Sequence, residues 1–285
     1  MSEENKYLEI QDTALIKCNA EAESIIVPEG IRSIKECAFC DCEKLKEIVL
    51  PEGITNIHYS AFSGLKIRSI TIPSTVKFIE ERAFESCENL EEVIFLGDVL
   101  SIGSRAFAWC WKLERINLPD SIKTIHDGTF DQCYALKNFR IPLNVKKIES
   151  LAFEECTSLK TVEINTNVKF IGDGAFSDCK KLKTIIYNGT SSQWKQINNI
   201  HKAFEKIAIP EVQCSNGKNI SAVEVIPKKN VKSSKTKDRK MSYSYSGLNS
   251  FNNSVIEKKS AMDMLYSGMK YVSESLEKEI NRRKR

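Results

Sequence analysis

Apolar residues recur along most of the chain with a period of 23 residues. The clearest marker is an Ala-Phe pair, which begins and ends the stretch 152–176, AFEECTSLKTVEINTNVKFIGDGAF. The pair recurs at Ala38-Phe39, Ala61-Phe62, Ala83-Phe84, Ala106-Phe107, Ala152-Phe153 and Ala175-Phe176, and Thr129-Phe130 fills the one gap in the series. A short fixed period of this kind predicts a solenoid, in which each repeat forms one coil and contacts its neighbours.

Each repeat keeps the same order of apolar positions after its Phe. In most repeats Cys comes three residues on and Leu six residues on, as Cys133 and Leu136 do after Phe130. An alternating apolar pair follows nine and eleven residues on, for example Ile116 and Leu118. Alternation of this kind predicts a strand with one buried face.

A turn and a second strand follow the first strand. Pro often comes after the alternating pair, with small or polar residues behind it, as in Pro119-Asp120-Ser121, and this is typical of a turn. Val or Ile then return at a fixed spacing, as Ile122 and Ile125 do, and predict a second short strand. We therefore expect each coil to run strand, turn, strand and helical corner.

Stacking of the coils would build the core. One coil cannot bury its own apolar side, but coils stacked about 4.8 Å apart place the same position of every repeat in one internal ladder. Truncation of a large buried aromatic side chain to Ala costs about 3–5 kcal/mol, so we expect Phe107 and Phe153 to be intolerant of substitution.

The pattern of Ala-Phe, Cys, Leu, Ile-x-Ile-Pro and Val-x-x-Ile resembles the BspA-like type of leucine-rich repeat across about residues 26–187. Tyr187-Asn188-Gly189-Thr190 followed by Gln193-Trp194 is similar to the segment that often closes such arrays. The second copy departs from the pattern because it is one residue short and lacks the Cys, and Leu96-Gly97 replaces the proline turn in the third.

This resemblance implies an α/β repeat solenoid, a right-handed leucine-rich-repeat-type coil with short parallel strands and a helical corner in each 23-residue repeat. It also implies a binding scaffold, often a cell-surface adhesin that holds other proteins or host matrix. The family offers no catalytic residues that could be carried over to this chain.

Five regions are expected along the chain. Residues 1–37 read as an N-terminal cap, and 38–187 as the solenoid. Residues 188–227 read as a C-terminal cap with a hairpin at Asn216-Gly217, a strong turn signal. Residues 228–253 are rich in Lys, Ser and Asn and read as a basic flexible linker. Residues 254–285 read as an amphipathic helix that begins at a capping box of Ser254 and Glu257.

The predicted tail helix carries one apolar stripe. We expect this stripe either to fold back on the solenoid or to mediate self-association, since its heptads are too few and too interrupted for a clean coiled coil. The candidate tail contact residues are Met262, Leu265, Met269, Val272 and Leu276.

Composition and charge are ordinary for a soluble protein, with 41% hydrophobic and 28% charged residues and a net charge of +4. Residues 201–285 contain 18 Lys or Arg against 9 Asp or Glu, which gives +9 there and leaves −5 for residues 1–200. The first residues, MSEENKYLEIQDTALIK, do not resemble a signal peptide, and no apolar run approaches the length of a membrane span. These features predict a cytoplasmic protein with reduced cysteines, and a surface location is the weaker alternative.

Enzyme and metal chemistry have little support in the sequence. Cys37, Cys40 and Cys42 form C-x-x-C-x-C, but Cys42 already belongs to the interior ladder and no second pair lies at zinc-finger spacing. His58 and His126 share a repeat offset but lie three coils apart, too far for one metal or one proton relay. No phosphate loop, nucleophile elbow or H-E-x-x-H motif is present. We expect no catalytic residue, cofactor or metal.

Two surfaces are candidates for binding another protein. Trp109, Trp111 and Tyr134 occupy corner offsets that hold polar or small residues in most other coils, and they form an aromatic patch unless another part of the protein covers it. The outward positions of the first strands form the second candidate, or else a plain solvated face. The residues singled out on that face are Glu92, Arg115, Asn117, Asn138, Arg140 and Glu163.

Three functions follow from these patterns. The first is a non-enzymatic scaffold for protein–protein interaction. Another alternative is a surface adhesin exported without a visible signal. A further alternative is nucleic-acid or anionic-surface binding, because phosphates attract clustered cations. Its candidate contacts are Lys228, Lys229, Lys232, Lys235, Lys237, Arg239 and Lys240.

Overall fold

A computed structural model describes residues 6–19 and 21–223. The first ten strands are β1 (Leu8–Gln11), β2 (Ala14–Cys18), β3 (Ser24–Ile26), β4 (Ser33–Ile34), β5 (Glu47–Val49), β6 (Asn56–Ile57), β7 (Ser69–Ile72), β8 (Phe78–Ile79), β9 (Glu92–Phe95) and β10 (Ser101–Ile102). The remaining strands are β11 (Arg115–Ile116), β12 (Thr124–Ile125), β13 (Asn138–Arg140), β14 (Lys147–Ile148), β15 (Thr161–Ile164), β16 (Phe170–Ile171), β17 (Thr184–Tyr187), β18 (Glu211–Cys214) and β19 (Asn219–Ser221).

The strands stack into a β-solenoid of about nine turns, with two parallel ladders. The first ladder comprises three paired groups in succession, β3 and β5, then β7, β9 and β11, then β13, β15, β17 and β18. The second comprises two, β2, β4, β6, β8 and β10, then β12, β14 and β16. Residues pair one repeat apart, so that Val162 lies opposite Ile185. The predicted order of strand, turn and strand within each coil is therefore confirmed.

The Phe side chains form a continuous stack through the core. Neighbouring rings lie between 5.0 and 5.8 Å apart, from Phe39 to Phe204. All seven Phe residues of the 23-residue series are fully buried. Phe204 adds one further ring, because Ala203-Phe204 repeats the Ala-Phe pair 28 residues after Phe176.

The prediction of a helical corner is wrong. Among the described residues the helices are α1 (Ser191–Trp194) and one 3-10 turn (Ile200–Lys202), and both follow the 23-residue repeats. Each corner is instead a chain of turns with a left-handed residue before the Ala-Phe pair and, in every corner but the first, a second one after it. These residues are Cys37, Ser60, Arg82, Arg105, Gly128, Leu151 and Gly174 before the Phe, and Gly64, Ser86, Trp109, Gln132, Glu155 and Asp178 after it.

Left-handed residues break a helix because an α-helix needs negative φ at every position. The freed backbone N–H groups donate to the next coil, as Phe107 does to the Thr129 carbonyl oxygen at 3.0 Å and Trp109 to that of Asp131 at 2.7 Å. Bonds to the next coil thus alternate with turn bonds along the chain, such as that from the Ala108 N–H to the Arg105 carbonyl oxygen at 3.0 Å. The fold is a β-solenoid, and not the α/β solenoid expected from the sequence.

Antiparallel hairpins lie at both ends of the described array. At the N-terminal end β1 pairs with β2, and at the C-terminal end β18 pairs with β19 around the Asn216-Gly217 turn. Trp194 is fully buried below the second hairpin and donates its indole N–H to the Ala222 carbonyl oxygen at 3.2 Å. Its ring meets Tyr187 edge-on, with 5.2 Å between centroids.

Candidate interaction surfaces

The first strands present alternate side chains to the core and to solvent. In β5, Ile48 is buried while Glu47 and Val49 are exposed, and the other strands of the first ladder repeat this pattern. We call the outward side chains of the first ladder the strand face. Parallel pairing places equivalent outward residues of successive coils directly beside one another.

The polar residues predicted on the strand face are tied into pairs between neighbouring coils or turns. Arg115 contacts Glu92 at 2.9 Å, and Arg140 contacts Asp120 in the preceding turn at 3.2 Å. Glu163 accepts a hydrogen bond from the Asn188 side chain at 2.8 Å. Exposed pairs of this kind contribute little to stability, about 0–1 kcal/mol. The other two predicted residues, Asn117 and Asn138, are exposed on the same face.

The structure adds an apolar column that the sequence analysis did not single out. Ten large hydrophobic side chains are exposed among the described residues, and four of them occupy the same outward column of the strand face. These four are Ile26, Val49, Ile94 and Ile186, which are 61%, 53%, 42% and 39% exposed. Three of them fall within the first four coils, where Thr71 fills the remaining position. The remaining residues in the column are polar.

The aromatic patch is present in part. The rings of Trp111 and Tyr134 lie on neighbouring coils with centroids 6.4 Å apart and planes tilted by 26°. Trp111 is 43% exposed, and the Tyr134 hydroxyl donates to the Gln132 side-chain oxygen at 2.6 Å. Trp109 lies at a left-handed corner position and is half-buried.

His58 and His126 lie on separate coils and each contacts a different carboxylate, in agreement with their spacing in the sequence. The Nδ1 atom of His58 lies 2.9 Å from Glu80, and that of His126 lies 3.2 Å from Glu149, in each case with the carboxylate on the next coil. The same carboxylates accept backbone N–H bonds from the residues after the histidines. In the described ranges no group of three His, Cys, Asp or Glu side chains is arranged to hold a metal ion.

The ladder cysteines have a hydrogen-bonding role that explains the choice of Cys. From Cys87 to Cys179 each ladder thiol donates to the carbonyl oxygen of the Phe one coil earlier, as Cys110 does to Phe84 at 3.2 Å and Cys156 to Phe130 at 3.1 Å, whereas Cys42 donates to the Asn19 carbonyl oxygen. All ten cysteines are free thiols. Of the C-x-x-C-x-C group, Cys37 is exposed and Cys42 is buried.

A buried acidic group at the corner was not anticipated from the sequence. Glu85, Asp131 and Glu154 each follow the core Phe of their coil, and Asp131 is only 6% exposed. One Asp131 carboxylate oxygen is buried without a hydrogen-bond partner. Burial, reinforced by the neighbouring Glu154 charge, raises the pKa of Asp131 to about 7.

Several predicted features lie outside the described residues. They include the basic linker residues Lys228, Lys229, Lys232, Lys235, Lys237, Arg239 and Lys240, and the tail residues Met262, Leu265, Met269, Val272 and Leu276. Nucleic-acid binding and self-association through these segments stay predictions, as does the cytoplasmic location. The part of the chain that the structure describes contains no helix with the length and apolarity of a membrane span.

The stacked parallel strands, the Phe stack and the Cys ladder define a β-solenoid of the leucine-rich-repeat class. A model of the BspA-type leucine-rich repeat region, with six copies, matches residues 8–134 and 100–223. The chain belongs to the BspA-type leucine-rich repeat family, as the sequence resemblance implied.

Two solved structures are similar to the solenoid. A leucine-rich repeat protein from Bacteroides ovatus is 30% identical with a TM-score of 0.56, and the match covers 62% of this chain and 53% of that one. A leucine-rich repeat protein from Eubacterium ventriosum is 24% identical with a TM-score of 0.55, covering 62% and 51%. This chain therefore spans about half the length of these solved relatives. Among curated proteins none matches the chain.

Proposed function

We propose that this chain is a non-enzymatic scaffold that binds another protein through its strand face. The concentration of exposed apolar residues in one outward column carries the proposal. Scattered single hydrophobic residues are normal on a protein surface, but a contiguous apolar patch is a typical feature of an interaction site. Ile26 and Val49 lie directly opposite each other in the register of β3 and β5, so their side chains form a continuous surface.

The described charged residues support a structural rather than a chemical use. His58, His126 and the strand-face cations bind carboxylates of neighbouring coils or turns, and these pairs run along the stack. Such contacts help to align coils and leave the side chains in fixed positions. A rigid surface of this kind loses little conformational entropy when a partner binds.

A capture experiment with matched variants tests the proposal. The double variant Val49→Ser/Ile94→Ser removes two apolar side chains of the column. The control Phe78→Ser removes an apolar side chain of the second ladder. Phe78 is 43% exposed, close to the exposed fraction of Ile94, which is 42%. We expect full-length wild-type protein and Phe78→Ser to recover the same partner from cells, and the double variant to lose it. Thermal unfolding of all three proteins should show that the solenoid is intact.

The aromatic patch provides the comparison that can refute this assignment. If Trp111→Ser/Tyr134→Ser abolishes recovery while Val49→Ser/Ile94→Ser does not, binding takes place at the corner and not at the strand face. If neither double variant changes recovery, neither the apolar column nor the aromatic patch is the binding site, and the proposal is wrong.

A further inference from the structure

Within the strand face, Ile26, Val49, Thr71 and Ile94 form what we call the apolar stripe. These four exposed residues occupy one outward column across four successive coils. At the spacing of paired strands the stripe is about 14 Å long. It ends where Asn117, a polar residue, occupies the same position in the next coil. The stripe is therefore a bounded apolar strip and not part of a generally apolar surface.

Acidic residues flank the stripe on both sides. Glu47 and Glu92 lie two residues earlier on the same strands, and Glu29 and Glu52 lie in the turns that follow the strands. The two flanking positions in these four coils contain no Lys or Arg. The four flanking positions without Glu are occupied by Ser24, Ser69, Ser74 and Gly97. Lys46, which precedes Glu47, pairs with Glu23, and Arg115 pairs with Glu92 at the far end of the stripe. Arg32 also donates to the Gly53 carbonyl oxygen beside Glu52, at 3.4 Å, so the negative charge of the rim lies chiefly at Glu29 and Glu47.

We infer that the apolar stripe binds a cationic amphipathic helix of a partner protein, laid along the solenoid axis. This inference rests on the proposed function and specifies the partner. A helix rises about 5.4 Å per turn, close to the coil spacing of about 4.8 Å, so apolar residues at i, i+3 or i+4, and i+7 meet successive coils. Over three coil spacings the mismatch is about 2 Å, which side chains can absorb.

The same geometry disfavours other occupants. An extended peptide places side chains on one face about 6.6 Å apart, so over three coil spacings its side chains drift by about one full coil. A second copy of the acidic rim would repel this one, since like charges face each other. Nucleic acid would meet the same repulsion from its phosphates. Lys or Arg on both flanks of an apolar helix face complements the carboxylates on the two sides of the stripe, chiefly Glu29 and Glu47.

Selection from a display library tests the inference directly. The full-length protein is used as bait for random peptides of about 16 residues, long enough for four helical turns. We expect enriched peptides to carry apolar residues at helical spacing with Lys or Arg beside them. A synthetic copy of an enriched peptide should become helical on binding and should bind Val49→Ser/Ile94→Ser about tenfold more weakly than wild type or Phe78→Ser.

Charge provides the second arm. Glu29→Gln/Glu47→Gln should weaken the same peptide several-fold, and binding to wild type should weaken as salt rises from about 50 to 200 mM. Enriched peptides that are acidic or lack helical spacing, or that bind the stripe variant as tightly as wild type, would overturn the inference. If partner capture from cells still depends on Val49 and Ile94 in that case, the scaffold function stands and only the helical partner is wrong.

Discussion

The Cys133 thiol donates a hydrogen bond to the Phe107 carbonyl oxygen of the preceding coil, at 3.2 Å. Burial raises the pKa of the Cys133 thiol, so the sulfur keeps the proton that it donates. The same carbonyl accepts the N–H of Cys110 within its own coil at 3.3 Å. One carbonyl oxygen therefore closes its own turn and joins two coils, and a small, partly polar side chain is needed at this position.

Cys133→Ala should lower the free energy of unfolding by about 1–2 kcal/mol, because it removes the donor and leaves a small cavity. Cys37→Ala is the matched control, since Cys37 is exposed, and it should change stability by less than about 0.5 kcal/mol. Urea unfolding followed by circular dichroism measures both. Equal stabilities of the two variants would show that the interior thiol contributes nothing.

The Phe stack should be the most sensitive part of the core. Phe107 is fully buried, with Phe84 at 5.2 Å and Phe130 at 5.8 Å between ring centroids. Phe107→Ala should cost about 3–5 kcal/mol, because it opens a cavity that stacked coils cannot close. Phe78→Ala makes the same change at a residue that is 43% exposed and should cost less than about 1 kcal/mol. Thermal unfolding of the pair gives the comparison, and similar losses would contradict the model of the core.

The left-handed corner residues allow a test of the corner geometry. Ser86 has φ of 61°, whereas Ser69 lies in an extended strand, and both side chains are at least partly exposed. Ser86→Val should cost about 1–2 kcal/mol, because a β-branched side chain is strained at positive φ. Ser69→Val should be neutral or slightly stabilising, because Val favours strands. The midpoints of urea unfolding measure the difference in stability between the two variants. If the corner were helical, Ser86→Val and Ser69→Val would differ little.

The period of 23 residues was enough to predict the strands, the turns and the core. From Phe84 to Leu182 the buried Phe, Cys and Leu of successive repeats lie one period apart, and ion pairs such as Arg115 with Glu92 join residues at the same separation. Ala203-Phe204 escaped the prediction because α1 and the 3-10 turn lengthen the spacing to 28 residues. The closing coil therefore falls outside a search for a constant period.

The corner and the binding face show where sequence patterns were insufficient. Left-handed positions are easy to recognise at Gly128 and Gly174, but Arg82 and Leu151 occupy the same offset without any such signal. The corner was therefore predicted as helical. On the strand face, the repeat period aligns Ile26, Val49 and Ile94 at one outward position, but the extent to which these side chains are exposed is known only from the structure.

The buried carboxylate of Asp131 should make stability depend on pH. Its folded-state pKa of about 7 lies above the ordinary value of 3.8, so between these pH values the folded protein holds a proton that the unfolded chain has lost. The folded state then binds more protons, and the free energy of unfolding falls as pH rises through this interval. The stabilisation is complete below about pH 4 and is lost above about pH 7, and its upper limit is about 4 kcal/mol.

Asp131→Asn removes this dependence, because an amide resembles the protonated carboxyl and does not ionise. The variant should unfold at a higher temperature than wild type at pH 8, and the difference should vanish near pH 4. Glu154, Glu155, Asp127 and Arg105 interact with Asp131 and are retained in the variant, so the difference between the two proteins reports the ionisation of Asp131 together with its effect on these neighbours. Asp98→Asn, at an exposed aspartate, should run parallel to wild type at every pH. A constant gap between Asp131→Asn and wild type across pH 4–8 would mean that Asp131 ionises normally in the folded protein.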